Sequence, residues 1–169
     1  MNFTIVPLTG KNVEDAILLL NKIFPKQDDE ENVEICFKAS LNTSKYRGTL
    51  DKWKIKKLKY FVATNPDNGE IYGTTGVYTM KNDDESAWLG WTGVNPKYRN
   101  MGIGKALILH AISEAKNENY KYMKLHTVDI DYQKNAHYLY KKLGFKQIKR
   151  GDKEIGHNRI YYKLDLRQK

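Results

Sequence analysis

Two glycines stand where an extended segment gives way to a helical one. The strand that ends at Val94 is followed by a proline, and Gly102 and Gly104 then open a helix. Glycine adopts backbone conformations that a Cβ would forbid, so several main-chain N–H groups can converge at this helix start. Such a start binds phosphate through direct hydrogen bonds and the helix dipole. Because Arg99 and Lys105 add positive charge beside it, the segment predicts an anion-binding site.

Two better-known phosphate motifs fit this segment poorly. In a dinucleotide-binding fold the glycines of G-x-G-x-x-G directly follow the strand. Here seven residues separate Val94 from Gly102, and Leu107 replaces the third glycine. A P-loop requires Ser or Thr after its lysine, whereas Ala106 follows Lys105. An ordinary strand-to-helix turn remains the alternative to an anion site.

Hydrophobic periodicity places this turn inside a mixed α/β domain. The predicted helices are Asn12–Phe24, Glu30–Leu41, Ile103–Asn117 and Lys134–Leu143. The predicted strands are Phe3–Leu8, Tyr60–Thr64, Ile71–Met80, Ala87–Val94, Met123–Asp129, Phe145–Arg150 and Ile160–Leu166. Short turns join the second, third and fourth strands, so these three must form an antiparallel meander. The stretch Tyr46–Lys59 fits neither period.

Length and composition restrict the class of protein. A chain of 169 residues with 40% hydrophobic residues suits one globular domain. The single cysteine, Cys36, excludes an internal disulfide and a cysteine-based metal site, and the four histidines lack metal-ligand spacing, so no metal is expected. No apolar run reaches the roughly 20 residues that cross a bilayer. Without a signal peptide at its start, the chain is expected in the cytoplasm.

The net charge of +9 invites a nucleic-acid hypothesis. However, 24 of the 29 positive charges are lysines spread along the chain, which is typical of a general compositional bias. Lys52–Lys59 is the one dense basic segment, and with its tryptophan it could bind RNA or an acidic substrate. A solvated face is the favoured interpretation, so nucleic-acid binding is not expected.

Two motifs resemble the GNAT superfamily of acyl-CoA-dependent N-acetyltransferases. Arg99–Gly104 reads RNMGIG and matches the family's [RQ]-x-x-G-x-[GA] signature, and Gly93–Tyr98 resembles the end of its fourth strand. Ala136–Phe145, AHYLYKKLGF, is similar to the family's A-x-x-L-Y-x-K-x-G-F segment. The resemblance implies one GNAT-like domain over residues 1–169. Its α/β fold would be a mixed, mostly antiparallel sheet of about six or seven strands flanked by about four helices. This sheet would be splayed between its fourth and fifth strands.

The resemblance also implies acetyl-CoA as the cosubstrate. Its pantetheine arm would lie in the gap between the splayed strands and pair with main-chain groups like an added strand. A main-chain N–H near Val94 would polarise the thioester carbonyl and stabilise the oxyanion, and amides from Met101 to Lys105 would hold the pyrophosphate. The implied cofactor-binding residues are Thr92, Gly93, Val94, Arg99, Asn100, Met101, Gly102, Ile103, Gly104, Lys105, Gln133 and Asn135.

Tyr140 falls on the family's tyrosine that protonates the departing CoA thiolate. A phenol, with its pKa near 10, is protonated at neutral pH and can donate to a thiolate. Tyr138 and Tyr132 compete for this assignment, and a plain core aromatic is the structural alternative.

The chain departs from the family pattern at two positions. Gln133 stands where an asparagine often contacts pantetheine, and Asn135 follows two residues later; either could make the contact. The fourth strand lacks the family's glutamate base. An ordered water or a side chain from elsewhere would then take the proton, and Trp88 or Trp91 could line the acceptor pocket. The candidate bases are Asp129, Asp131, His126 and Glu85.

The resemblance therefore predicts an N-acetyltransferase in which a primary amine attacks acetyl-CoA directly in a ternary complex. The acceptor would be a small-molecule or peptide amine. The alternatives are a non-catalytic acyl-CoA-binding regulatory domain and a basic nucleic-acid-binding module. Dimers are common in the family, which leaves a homodimer open.

Overall fold

The computed structural model describes residues 1–27, 32–130, 133–154 and 156–168. Its strands are β1 (Thr4–Pro7), β2 (Ile55–Thr64), β3 (Ile71–Met80), β4 (Asp83–Leu89), β5 (Gly93–Val94), β6 (Tyr122–Val128), β7 (Lys146–Glu154) and β8 (His157–Asp165). Its helices are α1 (Val13–Ile23), α2 (Val33–Leu41), α3 (Arg47–Lys52), α4 (Ile103–Asn117) and α5 (Lys134–Lys142). A 3-10 turn covers Pro96–Tyr98.

The strands form one mixed sheet in the order β1-β2-β3-β4-β6-β8-β7, and β5 pairs with β3. All neighbours are antiparallel except β4 and β6, which are parallel. The predicted α/β class and the antiparallel meander are confirmed. Within the described residues the sheet has eight strands rather than six or seven, because the predicted strand Ala87–Val94 is interrupted. Part of the unassigned stretch forms α3, which adds a fifth helix.

Helices cover both faces of the sheet. Val77 packs in a core cluster with α4, whereas its neighbour Tyr78 packs against the cluster that includes Leu20 of α1 and Phe37 of α2. Because consecutive strand residues point to opposite faces, α1–α3 lie on one side and α4 and α5 on the other.

Several predicted strand boundaries are wrong, and two of them, the starts of β2 and β4, are wrong for one physical reason. β2 begins at Ile55 rather than Tyr60, and β4 begins at Asp83 rather than Ala87. Both added segments carry solvent-facing charged residues. Such residues make an edge of a strand look like a polar loop in the sequence. The lysines of the β2 segment are ion-paired: Lys56 with Asp84, Lys57 with Glu118, and Lys59 with Glu114.

Some predictions concern residues that the structure leaves aside. The predicted start of the second helix at Glu30 lies outside the described ranges.

None of the described helices is both long and apolar enough to span a membrane. Within the same ranges, no group of three or more His, Cys, Asp or Glu side chains is placed to hold a metal ion.

Candidate active site

A gap opens between the chain after β4 and the second half of β6. β4 pairs with β6 over Ser86–Trp88 and Tyr122–Lys124. β6 then continues to Val128 against β8, whereas the segment that follows β4 remains paired with β3 through β5. The two strands therefore diverge, which confirms the expected splay between the fourth and fifth predicted strands.

One inserted residue produces this divergence. Leu89 lies opposite Val77, and Gly93 lies opposite Thr74. Between these two pairs, three residues on one strand, 90–92, thus face two residues on its partner, 75 and 76. An extra residue in one strand is a β-bulge, which bends that strand and increases its twist. The bulge covers residues 90–92 and separates β5 from β4.

The bulge also determines which way the β5 amides point. The Asn95 N–H donates to the Tyr72 carbonyl oxygen on β3 at 2.8 Å. Because successive amides of an extended strand point to opposite edges, the Val94 N–H points away from β3 and into the gap. A donor here suits the oxyanion role that the family resemblance implies for Val94.

The glycine turn leaves a row of free amides next to this gap. Gly102 is the N-cap of α4 with a left-handed φ of 80°, and Asn100 has φ of 62°. None of the six main-chain N–H groups from Asn100 to Lys105 has an acceptor among the described residues. Six such donors at the start of a 15-residue helix form a cradle that an anion such as a pyrophosphate would fill.

The cradle and the gap are continuous. A Cβ built on Gly104 would lie 3.4 Å from Val94 Cγ2 and 3.9 Å from Leu139 Cδ2, so the start of α4 lies between β5 and α5. The Arg99 Nε–H donates to the Val94 carbonyl oxygen at 3.3 Å, which places the guanidinium at the end of β5. Lys105 is exposed, and neither cation forms an ion pair within the described ranges. Both charges are thus available to a ligand.

Tyr140 is a buried phenol on α5, the helix whose Leu139 lies near Gly104. It is buried on α5, with its ring centroid 6.0 Å from that of Phe145 and 5.9 Å from that of Tyr162. Burial and, to a lesser extent, the neighbouring Tyr162 raise the pKa of Tyr140 to about 12. Tyr138 is 68% exposed, and Tyr132 lies outside the described residues. Of the described candidates, only Tyr140 is buried.

Gln133 and Asn135 occupy different surroundings. The Gln133 side-chain oxygen accepts hydrogen bonds from the Thr127 hydroxyl and, at 3.4 Å, from the Val128 N–H. It therefore braces the end of β6 at the gap. Asn135 is exposed on α5. Gln133, rather than Asn135, is placed near the path expected for pantetheine.

His137, for which the sequence predicts no role, links three elements. Its Nε2–H donates to the Val128 carbonyl oxygen at 3.2 Å, because a carbonyl can only accept. Its Nδ1 then accepts from the Tyr162 hydroxyl at 2.8 Å. Since His137 lies on α5, the contact fixes this helix against β6 and β8. No spacing rule could reveal it, because the partners come together only in the sheet.

The candidate bases differ in their described contacts. Asp129 is ion-paired with Arg150 and Glu85 with Lys121, so both carboxylates are already engaged. Asp131 lies outside the described residues. His126 is on β6, two residues beyond the last position paired with β4, where the gap has opened. It is half-buried and lies on the opposite face from Leu125.

Of the two candidate tryptophans, Trp91 packs at the end of α1, whereas Trp88 is half-buried among other aromatic side chains. Trp91 packs on Phe24 at the end of α1, with ring centroids 5.4 Å apart. Trp88 lies with His126 and Tyr161, at centroid distances of 6.3 and 6.4 Å. We call Trp88, His126 and Tyr161 the aromatic face. It adjoins the gap on the side opposite α4.

Comparison with known proteins agrees with this geometry. The sequence pattern of the GNAT acetyltransferase family matches residues 21–145, so the chain belongs to that family. No curated protein matches the chain.

Solved structures extend the likeness to the whole fold. A GNAT-family acetyltransferase from Staphylococcus aureus Mu50 is 25% identical, with 98% of this chain and 100% of that one covered and a TM-score of 0.68. Arabidopsis thaliana NAA60 in complex with acetyl-CoA is 17% identical, with coverage of 99% and 100% and a TM-score of 0.74. The ribosomal-protein-S18-alanine N-acetyltransferase of Escherichia coli is 18% identical, with coverage of 99% and 96% and a TM-score of 0.69.

Proposed function

We propose that this protein is an N-acetyltransferase that moves an acetyl group from acetyl-CoA to a primary amine by direct attack. The observation that carries the proposal is the continuity between the strand gap and the row of six free amides from Asn100 to Lys105. A diphosphate joined to an extended arm matches that shape. Membership of the GNAT acetyltransferase family supports the same assignment.

The chain's own groups divide the work of binding. The amides from Asn100 to Lys105 would hold the pyrophosphate, with Arg99 and Lys105 supplying positive charge. The free edge of β5 at Thr92–Val94 would pair with the amides of the pantetheine arm, as in strand addition. Gln133 would close the opposite side of the gap from the end of β6. Acetyl-CoA, once bound, supplies the activated thioester.

Three groups would then serve the transfer itself. The Val94 N–H points into the gap and would stabilise negative charge on the carbonyl oxygen of the thioester. Tyr140 keeps its proton at neutral pH and would donate it to the departing thiolate. His126, on the aromatic face, would accept the proton of the attacking amine directly or through water, because imidazole is the side chain best suited to change charge near neutral pH.

We propose that the acceptor approaches over the aromatic face. The end of α1 bounds this entrance, since a Cβ on Gly93 would lie 3.2 Å from both Ile23 Cδ1 and Phe24 Cε2. Structural neighbours include an enzyme named for a ribosomal-protein alanine and NAA60 bound to a bisubstrate analogue. We therefore include peptides with free N-termini beside small primary amines as acceptor classes.

The test is a thiol-release assay with acetyl-CoA over a panel of small amines and short peptides, combined with calorimetric measurement of CoA binding. We expect CoA release that depends on the amine. Tight CoA binding without release by any amine would favour the non-catalytic acyl-CoA-binding domain. Absence of CoA binding would contradict both functions.

A further inference from the structure

Residues 90–92 form the bulge that sets the direction of β5, and their polar groups are held from β3. The Gly90 N–H donates to the Gly76 carbonyl oxygen at 2.8 Å. The Thr74 hydroxyl donates to the Trp91 carbonyl oxygen at 3.0 Å. Two groups of the bulge that the regular ladder does not pair are thereby satisfied.

A second hydroxyl chain crosses from β3 to the end of the bulge. The Thr92 hydroxyl donates to the Gly90 carbonyl oxygen at 2.9 Å. Since its proton is used there, Thr92 accepts from the Thr75 hydroxyl, at 3.0 Å. Thr75 is fully buried and, by the register, faces the two residues of the bulge that oppose one on β3. A buried hydroxyl lost here would leave its partner unsatisfied.

Tyr60 reaches the bulge from β2 across two glycines. A Cβ on Gly76 would lie 2.3 Å from Tyr60 Cδ1, and one on Gly90 would lie 2.8 Å from Cε1 and 3.0 Å from the hydroxyl oxygen. The buried ring therefore lies across the backbone of β3 and ends at the bulge. Burial raises the pKa of the Tyr60 hydroxyl, and the Cys36 thiol and the Trp91 backbone are among the groups that act on it.

We infer that Tyr60, Thr74 and Thr75 are positioning residues that fix the bulge and so aim the Val94 N–H into the cofactor gap. We call these three residues the hydroxyl clamp. None touches the expected path of the substrate. The catalytic effect of the hydroxyl clamp rests on the proposed acetyltransferase function, whereas the effect of the clamp on the direction of β5 does not.

The geometry supplies a matched control. Thr79 lies on the same strand and is also buried, but its hydroxyl has no hydrogen-bond partner in the described part of the chain. Thr79→Val removes the same atom as Thr75→Val without orphaning a partner. The pair therefore separates loss of the clamp from a general effect of removing a buried hydroxyl.

The experiment measures two readouts on Thr75→Val, Tyr60→Phe and Thr79→Val. Hydrogen exchange of the Gly93 and Asn95 amides reports on the strand in the free protein. Thiol release reports on catalysis. We expect both clamp variants to exchange these amides at least about tenfold faster than wild type, because a lost buried hydrogen bond changes local opening by that order. We expect kcat to fall by about tenfold or more with little change in the KM for acetyl-CoA, since small misplacements at a reacting centre are costly.

The controls make the outcomes decisive. Thr79→Val should match wild type in both readouts, and Thr75→Ser, which keeps the hydroxyl, should recover most of the activity and protection. If Thr75→Val does not fold, Tyr60→Phe carries the test. Equal exchange in the Thr75 and Thr79 variants would refute the clamp, and faster exchange with unchanged kcat would refute its catalytic effect. If the wild-type protein releases no thiol, the proposed function fails. Faster amide exchange in Thr75→Val and Tyr60→Phe would then still support the clamp.

Discussion

At the scale of single residues, Tyr140 shows how surroundings select one of several similar side chains. Tyr138, on the same helix, is mostly in solvent, whereas Tyr140 is enclosed by Phe145 and Tyr162. A pKa near 12 keeps the phenol neutral throughout the range in which amines lose their protons. The group can therefore serve as an acid even in mildly alkaline solution.

Tyr140→Phe should lower kcat by about 10²-fold while the Kd for CoA changes less than about twofold, because the proton is needed only as the thiolate departs. Thiol release and calorimetry measure the two quantities. Tyr138→Phe, which removes an exposed hydroxyl from the same helix, should behave as wild type. A Tyr140→Phe enzyme with unchanged kcat would remove Tyr140 from the role of acid.

Gly104→Leu should weaken CoA binding by about tenfold or more, because the new side chain would fill the space between Val94 and the cradle. Titration calorimetry with CoA measures the change. Gly48→Leu, at an exposed helical glycine with nothing within 4 Å of its Cβ position, is the control. Normal affinity in the Gly104 variant would place the pyrophosphate elsewhere.

At the scale of elements, β3 is the common support of the site. It pairs with β2, β4 and β5, and at Gly73 it also meets α4. A Cβ there would lie 2.6 Å from the Gly93 carbonyl oxygen and 2.9 Å from Leu107 Cδ1. A backbone atom cannot yield as a flexible side chain does, so this glycine is required by close approach.

Gly73→Ala should destabilise the protein by about 1–3 kcal/mol, the usual range for overpacking a core. Urea denaturation followed by circular dichroism measures the free energy of unfolding. Gly10→Ala is the comparison, because no atom lies within 4 Å of its Cβ position. Equal stability of the two variants would mean that β5 can shift freely from β3.

Sequence alone predicted the elements that have a clear period and clear ends. Ile71–Met80 and Ile103–Asn117 have the predicted bounds, since apolar spacing and flanking turns mark both. The bulge could not be predicted, because the residues after Trp88 read as a continuous strand until a partner supplies the register. Tyr60 and Thr75 carried no signal for the same reason: their partners are distant in sequence, and hydroxyls have no characteristic spacing.

At the scale of the whole molecule, the lysines and arginines behind the net charge of +9 are dispersed along the chain. The densest basic segment contributes three lysines to ion pairs with acidic residues. Exposed pairs of this kind contribute little to stability. Arg99 and Lys105, which lack such partners within the described ranges, hold the charge that matters for the proposed ligand.

The free energy of unfolding should fall as pH rises above about 10, the ordinary pKa of tyrosine. Burial raises the pKa of Tyr60, Tyr140 and Tyr162, so between pH 10 and 12 the unfolded chain releases protons that the native protein retains. Tyr140 alone would account for about 2 kcal/mol by pH 12. Urea denaturation at pH 8, 10 and 11 measures the slope, and Tyr140→Phe should reduce it. A slope that is unchanged in this variant would contradict the burial of its phenol as an acid.

The gap depends on the single extra residue at positions 90–92, because that residue sets the register of β5. Side chains alternate along a strand with a period of two, so deleting one residue there would exchange the faces of every following position in β5. Val94 would then point towards α1, and Gly93 would point towards α4. Insertions and deletions in this segment should therefore be far less tolerated than substitutions, and any sequence alignment used to compare acceptor preferences must preserve this one-residue offset.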